Sequence, residues 1–215
     1  MNILESIILG FIQGLTEFLP ISSSGHIEIG KALLNVNLND KKSLFLTLIL
    51  HLATAFSTIL VYRRVIFKIF SDLFKFKNND GFILSIKIII SMIPAVLIVF
   101  FFEREIAKLF NQNIILVGIM LFITSLFLFL SDRNYNNKSD ITFKNSILIG
   151  IIQAIAILPG ISRSGSTISC TVLLGAKRTK AAEFSFLMVL PLIFGSALKT
   201  LFEIFCDLFL KILKD

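Results

Sequence analysis

A shift of 140 residues lays Glu5–His26 on Asn145–Ser166, and nine of the 22 positions are then identical. Ser6, Ile7, Gly10, Ile12, Gln13, Ile21, Ser22, Ser24 and Gly25 fall on Ser146, Ile147, Gly150, Ile152, Gln153, Ile161, Ser162, Ser164 and Gly165. Apolar matches alone arise by chance between apolar segments. A shared Gly-x-x-Gln followed by a shared Ile-Ser-x-Ser-Gly does not favour chance. Each copy is apolar yet interrupted in its middle by Pro, Ser and Gly, at Leu19–His26 in the first and Leu158–Thr167 in the second. In hydrocarbon such a break strands backbone N–H and C=O groups, so it is tolerated only where protein buries it or where it lines a wet cavity.

The rest of the chain says that hydrocarbon is the right solvent to consider. With 55% hydrophobic and 16% charged residues, 215 residues cannot cover a soluble surface. That excludes a soluble enzyme, a disordered chain and a fibrous repeat. Four runs, Leu44–Tyr62, Phe82–Phe102, Ile114–Ser131 and Phe184–Phe202, match the roughly 20 residues that cross a bilayer. Pro94 is expected to kink the second of them without abolishing it. Three runs separate the two broken copies. An odd number makes the copies enter the membrane from opposite sides, the inverted-repeat plan in which interrupted helices meet near the midplane. The prediction is an all-α polytopic integral membrane protein, a single membrane domain over 1–215 with an inverted repeat and two re-entrant helix hairpins. Repeat 1 covers about 3–62 and repeat 2 about 145–202. Over 203–215 the charges at 203, 207, 211 and 214 make one polar stripe, which predicts an amphipathic C-terminal helix at the interface.

A net charge of +7 would suggest nucleic acid in a soluble protein. Here the basic residues lie between apolar runs and read as topology signals, so no nucleic-acid partner is expected. The segments 63–81, 132–146 and 177–183 hold eleven Lys/Arg, and 37–43 and 103–113 hold four, which assigns the first side to the cytoplasm and both termini outward. The first basic residue is Lys31, so the apolar N-terminus lacks the positive region of a secretory signal and is expected to be retained. Cys170 and Cys206 sit in apolar surroundings, and neither a disulfide nor a metal cluster is expected of them.

Charges at membrane depth are costly, and Glu17 and Arg163 therefore stand out. The first break supplies Gln13, Glu17, Ser22, Ser23, Ser24 and His26. Gln13 and Glu17 are four apart and share a helix face. A carboxylate and an amide oxygen suit a hard cation such as Mg²⁺; a cap, or a buried pair with Arg163, accounts for Glu17 equally well. The second break surrounds Arg163 with Ser162, Ser164, Ser166 and Thr167, and with Gly160 and Gly165. Glycines let backbone approach an anion, hydroxyls and turn amides donate to phosphate oxygens, and arginine adds a planar fork. His26, beside serines and a carboxylate, can act as base, acid or phosphoryl acceptor. His51 is left outside the core site. Gly160-x4-Gly165-Ser166-Thr167 imitates a nucleotide-binding P-loop, but lysine is missing where Ser166 stands and no strand precedes it.

Gln13-Gly-Leu-Thr-Glu17-Phe-Leu-Pro-Ile-Ser-Ser-Ser-Gly-His26 resembles the first signature of the undecaprenyl-diphosphate phosphatase family, the bacitracin-resistance type. Pro159-Gly-Ile-Ser-Arg-Ser-Gly-Ser-Thr167 resembles its second. Ser91-Met-Ile-Pro-Ala95 and Ala182-Glu-Phe-Ser-Phe186 resemble further family segments. The resemblance implies a hydrolase of the bacterial inner (cytoplasmic) membrane that removes the terminal phosphate of undecaprenyl diphosphate for lipid-carrier recycling. It implies a metal pair at Gln13 and Glu17 for Mg²⁺ or Ca²⁺, and catalytic residues Glu17, Ser23, His26 and Arg163, with Ser23, His26 or water as nucleophile. Ser22, Ser24, Ser162, Ser164, Gly165 and Thr167 are the expected substrate-binding residues. Members of the family continue for two more spans. The packing surface of the last hairpin is then left to lipid, to a second copy of the chain or to no cover at all, so membrane lipids and a homodimer join polyprenyl diphosphate as candidate partners. The rival reading is a membrane transporter or polyprenyl-phosphate flippase, because inverted repeats with broken helices are also a transport plan.

Overall fold

The computed structural model describes residues 2–36, 40–75, 79–109, 114–133 and 139–212. Among them the protein is all-α, apart from one isolated bridge between Ser139 and Ala176. The helices are α1 (Ile3–Phe18), α2 (Ser23–Leu33), α3 (Asp40–Leu73), α4 (Asp80–Leu109), α5 (Ile114–Asp132), α6 (Phe143–Ile155), α7 (Arg163–Leu173) and α8 (Arg178–Ile212). Four stretches are long and apolar enough to cross a membrane: Phe45–Leu73, Asp80–Phe102, Ile114–Asp132 and Arg178–Phe202. They contain the four predicted runs almost entirely, so the chain is a polytopic membrane protein.

The differences from the sequence reading lie at the ends. Arg63 and Arg64 were read as the start of a loop, yet α3 runs through them to Leu73, leaving helical dihedrals only at Tyr62 (φ −94°, ψ 15°). Charges at a membrane surface do not disfavour helix; they only place it in the wet zone. In α4 the helix passes through Pro94, and its departure from helical dihedrals falls at Phe102 (φ −123°, ψ 20°), just before the charged segment. The described part of the C-terminal stretch, to Ile212, is helical and continues α8 without interruption. Residues 37–39, 76–78, 110–113 and 134–138, which entered the charge count, lie outside the described residues, as do the side chain of Cys206 and the C-terminal polar stripe.

The two broken copies form two helical hairpins, α1–α2 and α6–α7. At 1.5 Å per residue α2 and α7, 11 residues each, are about 17 Å long, half of a hydrocarbon core. Neither can cross alone. A capping box starts α1: Asn2 Oδ1 accepts from the Glu5 N–H at 2.8 Å and Glu5 Oε2 from the Asn2 N–H at 2.7 Å. The breaks are shorter than read from composition. They span Leu19–Ser22 and Ala156–Ser162, because Ser22 and Ser162 act as N-caps that restart the helix: their Oγ atoms accept from the Gly25 N–H (3.2 Å) and the Gly165 N–H (3.0 Å).

The hairpins meet tip to tip through glycine. A Cβ on Gly25 would lie 3.3 Å from Gly160 Cα, and one on Gly165 would lie 2.5 Å from the Pro20 oxygen. The pairs 25/160 and 165/20 exchange under the 140-residue shift. Such reciprocity is what an approximate two-fold axis between the hairpins produces. The core lies around α8, where Phe184, Leu187, Met188, Leu190 and Ile193 pack with Ile149 of α6, Ile88 of α4 and Ala55 of α3. Gly150 brings α6 against α4 so closely that a Cβ there would lie 2.5 Å from the Ser91 oxygen. The outer surface is apolar, with Phe11 and Leu15 of α1, Phe100 of α4, and Phe122 and Phe129 of α5 exposed, as a lipid-facing surface requires.

Candidate active site

Glu17 ends α1 on its buried face, with Leu9, Gln13 and Thr16. Gln13 Nε2 donates to Glu17 Oε2 at 2.9 Å, one helical turn away. The Ser23 hydroxyl, at the first position of α2, donates to the same oxygen. The other oxygen, Oε1, accepts from Arg163 Nη2 at 3.3 Å, an ion pair whose side chains are 10% and 18% exposed. One carboxylate thus gathers three predicted site residues from both hairpins. Ser23 and Arg163 occupy equivalent positions of the repeat, and each approaches one oxygen of Glu17.

His26 is half-buried. Its Nδ1 lies 2.8 Å from the Ser22 carbonyl. A carbonyl only accepts, so Nδ1 carries a proton, and in the neutral ring Nε2 is then the acceptor. Ser22 holds a left-handed backbone (φ 71°) and is buried, with its Oγ engaged as the cap and 3.4 Å from Ser24 Oγ. The second hairpin repeats this: Ser162 Oγ caps and lies 3.4 Å from Ser164 Oγ. Ser162, Ser164, Gly165 and Thr167 are all buried. The Thr167 hydroxyl donates to the Arg163 carbonyl at 2.8 Å and lies 2.7 Å from Ser185 Oγ. The polar side chains of the predicted set that keep partial exposure are therefore Ser23, Ser24, His26 and Arg163. Their hydroxyl, imidazole and guanidinium groups can meet an anion; the buried serines and Thr167 shape the loops that hold them.

Two residues that the sequence reading did not single out complete the site. Thr124 of α5 is 2% exposed and accepts from the Ser162 N–H at 3.0 Å, docking the loop before Arg163 onto α5. Ser185 of α8 accepts from Arg163 Nη1 through its carbonyl at 3.2 Å. Neither has a periodicity or motif that marks it, although Ser185 lies inside the Ala182–Phe186 segment. His51, left outside the site, has its Nδ1 2.9 Å from the Thr47 carbonyl within α3. Beside the end of α1 an apolar row runs from Phe18 to Phe186 (ring centres 5.9 Å apart) and on to Tyr62 (6.2 Å).

For a divalent cation the donor set is thin but usable. Among the described residues no group of three His, Cys, Asp or Glu comes together. Glu17 offers one carboxylate, Gln13 a neutral side-chain oxygen once its amide turns, and Ser23 a hydroxyl. Mg²⁺ is commonly held this way, by one or two carboxylates with waters and substrate phosphates supplying the other oxygens. The residues therefore fit an ion that arrives with a phosphorylated ligand better than one held in a closed cage.

A family profile described as Bacitracin resistance protein BacA matches residues 6–212. The chain is similar to a protein named undecaprenyl-diphosphatase in Christiangramia forsetii, 55% identical over 201 residues that make up 94% of this chain and 76% of the relative. It is similar to proteins of the same name in Bacteroides fragilis, 45% identical over 199 residues (92% and 74%), and in Methanococcus vannielii, 43% identical over 196 residues (90% and 76%).

Proposed function

The chain belongs to the bacitracin resistance protein BacA family, and from that membership we propose that it is a multi-pass membrane hydrolase converting undecaprenyl diphosphate to undecaprenyl phosphate and inorganic phosphate. The observation that carries the reading is the convergence on Glu17: hydroxyl and amide from its own hairpin, guanidinium from the other. The reaction serves recycling of the cell-wall lipid carrier and, through it, bacitracin resistance. The enzyme sits in the inner (cytoplasmic) membrane of a bacterium.

The chemistry follows from the groups that keep partial exposure and from the buried carboxylate on which they converge. Arg163 meets the non-bridging oxygens of the terminal phosphate and offsets the charge that develops on them. Glu17 receives the proton of Ser23, whose oxygen attacks the terminal phosphorus while the bond to the bridging oxygen breaks. The proton leaves with undecaprenyl phosphate. His26 Nε2 then takes a proton from water as its oxygen attacks the phosphoserine and the Ser23 Oγ–P bond breaks; that proton passes to the Ser23 oxygen, and inorganic phosphate departs. Gln13 and Glu17 are the residues that would hold Mg²⁺ or Ca²⁺, which when bound neutralises diphosphate charge. The apolar spans hold the prenyl tail.

Purified protein is expected to release phosphate from undecaprenyl diphosphate, and a chelator to lower the rate. Binding without turnover would favour the transport reading. Brief exposure to substrate labelled at the terminal phosphate, followed by a neutral denaturing quench, is expected to leave acid-stable label in His26→Ala and none in Ser23→Ala; acid-labile label in Ser23→Ala would move the attack to His26. A thiol reporter placed in 39–42 is expected to react with outside reagents and one in 132–140 to be shielded. The expected homodimer would weigh twice the 24.1 kDa of one chain in a detergent-corrected mass measurement.

A further inference from the structure

Ser185 stands between Phe184 and Phe186 in an apolar stretch of α8 and is fully buried. It nevertheless makes two of the three links in a closed ring of hydrogen bonds. Arg163 Nη1 donates to the Ser185 carbonyl at 3.2 Å, Ser185 Oγ lies 2.7 Å from Thr167 Oγ1, and Thr167 Oγ1 donates to the Arg163 carbonyl at 2.8 Å. A threonine hydroxyl has one proton. With that proton on the Arg163 carbonyl, Ser185 must be the donor to Thr167, and both hydroxyl protons then have acceptors. The reverse direction would leave the Ser185 proton with no acceptor among the described residues.

The ring grips Arg163 at both ends, backbone and guanidinium. A free arginine side chain has many rotamers, and fixing it has an entropic cost that must be met before it can serve a transition state. Glu17 holds one nitrogen, at 3.3 Å, and Ser185 holds another. Being fully buried, Ser185 has no surface for a substrate.

We infer that Ser185 is a positioning residue, setting the Arg163 guanidinium where it meets the terminal phosphate. The inference rests on the phosphatase reading. Ser185→Ala keeps the carbonyl that accepts from Nη1 but cuts the hydroxyl tie to Thr167 that fixes it; kcat is expected to fall about tenfold and KM to rise about threefold, since the guanidinium meets the phosphate on binding and acts more strongly on the charge that develops in the transition state. Thr167→Val opens the same ring from its other side and is expected to give a similar loss, which covers the case in which the alanine variant fails to fold. The deciding measurement is the Arg163→Lys background, where there is no fork to aim: adding Ser185→Ala there should change turnover less than twofold. Equal losses in both backgrounds, or a single variant within twofold of the parent, overturn the inference. Inorganic pyrophosphate titrated against melting temperature separates this from failure of the phosphatase reading. If the parent hydrolyses nothing yet pyrophosphate protects it, with an apparent Kd at least threefold weaker in Ser185→Ala, the reading falls and the positioning role stands. Equal protection of both proteins overturns the positioning role, and a parent that neither hydrolyses nor is protected overturns both.

Discussion

The two hairpins share a scaffold and divide the chemistry. Each restarts its second helix on a serine cap, each sets a second serine 3.4 Å from the cap, and each buries a glutamine in its first helix. Among the positions at which they differ, three carry the polar groups of the site. Glu17 faces Ile157 in the repeat, Ser23 faces Arg163, and His26 faces Ser166. The α1–α2 hairpin thus carries a buried acid with a hydroxyl and an imidazole that keep partial exposure, whereas of the predicted site side chains on α6–α7 only Arg163 keeps any. Duplication alone would give two equal half-sites. An acid in one copy and a base in the other turns two like poles into one site with attraction across the pseudo-axis. In the proposed mechanism the first hairpin holds the reacting groups, and the second is a frame for Arg163.

The comparison breaks most visibly if the acid is removed. Glu17→Gln keeps size and one acceptor oxygen but leaves Arg163 buried without its counter-charge. Activity is expected to fall by about 100-fold or more, and stability by about 3 kcal/mol as the uncompensated charge dominates. Adding Arg163→Met should restore the melting temperature and leave activity lost. Activity measured against Mg²⁺ concentration reads the metal role separately. A raised requirement in Glu17→Gln supports ligation, and an unchanged curve with a lowered melting temperature reduces Glu17 to the partner of Arg163. His26→Ala should also lose most turnover, but with the fold intact, because its Nδ1 bond to Ser22 is local.

Arg163→Lys comes next. The ammonium keeps the charge, but a single point cannot reach both Glu17 and the Ser185 carbonyl as the fork does. At least a tenfold loss of turnover is expected, with the protein still inserted. Near-normal turnover would mean that the second hairpin contributes only charge, not aim.

How much of this was legible beforehand depended on whether the information was local. The repeat, the four spans, and the meeting of Glu17 with Arg163 follow from patterns and from the expense of charge at depth. The ends of elements did not. Ser22 and Ser162 look like breakers by composition but act as caps, and Arg63-Arg64 looks like a loop but continues α3. Thr124 and Ser185 were invisible because their roles come from packing: each is one of several hydroxyl residues in an apolar helix, made important by a partner 38 or 22 residues away.

A smaller effect separates the hairpins at glycine. Gly160 has φ +93°, and a Cβ there would lie 2.6 Å from the Val117 oxygen, backbone against backbone. Gly160→Ala is expected to cost about 2 kcal/mol or more from the left-handed conformation and the clash together. Gly14 has nothing within 4 Å of its would-be Cβ, and its counterpart in the repeat is already Ala154. Gly14→Ala should leave activity unchanged and raise stability by up to about 1 kcal/mol. Thermal unfolding in one detergent compares the two directly. Equal destabilisation would mean that the second hairpin is no tighter a frame than the first.

The smallest expected effect tests whether the second hairpin has given up its half of the chemistry. Ser166 stands where the first hairpin has His26, and Gln153 where it has Gln13. Ser166 Oγ and Gln153 Oε1 are buried and have no protein partner among the described residues. With Ile157 in place of a carboxylate, Gln153 has no acid one turn away and its amide reaches instead to the Ser91 carbonyl, at a long 3.4 Å. A desolvated hydroxyl without a partner costs about 1–3 kcal/mol. Ser166→Ala removes that hydroxyl, adds helix propensity, and leaves a void of only one atom. The variant should therefore melt at the parent's temperature or a few degrees higher, with turnover within twofold. A lower melting temperature would reveal a water bound to Ser166 as part of the frame. A tenfold loss of turnover with the fold intact would be the more damaging result, because it would put a reacting group in the hairpin assigned only to holding one.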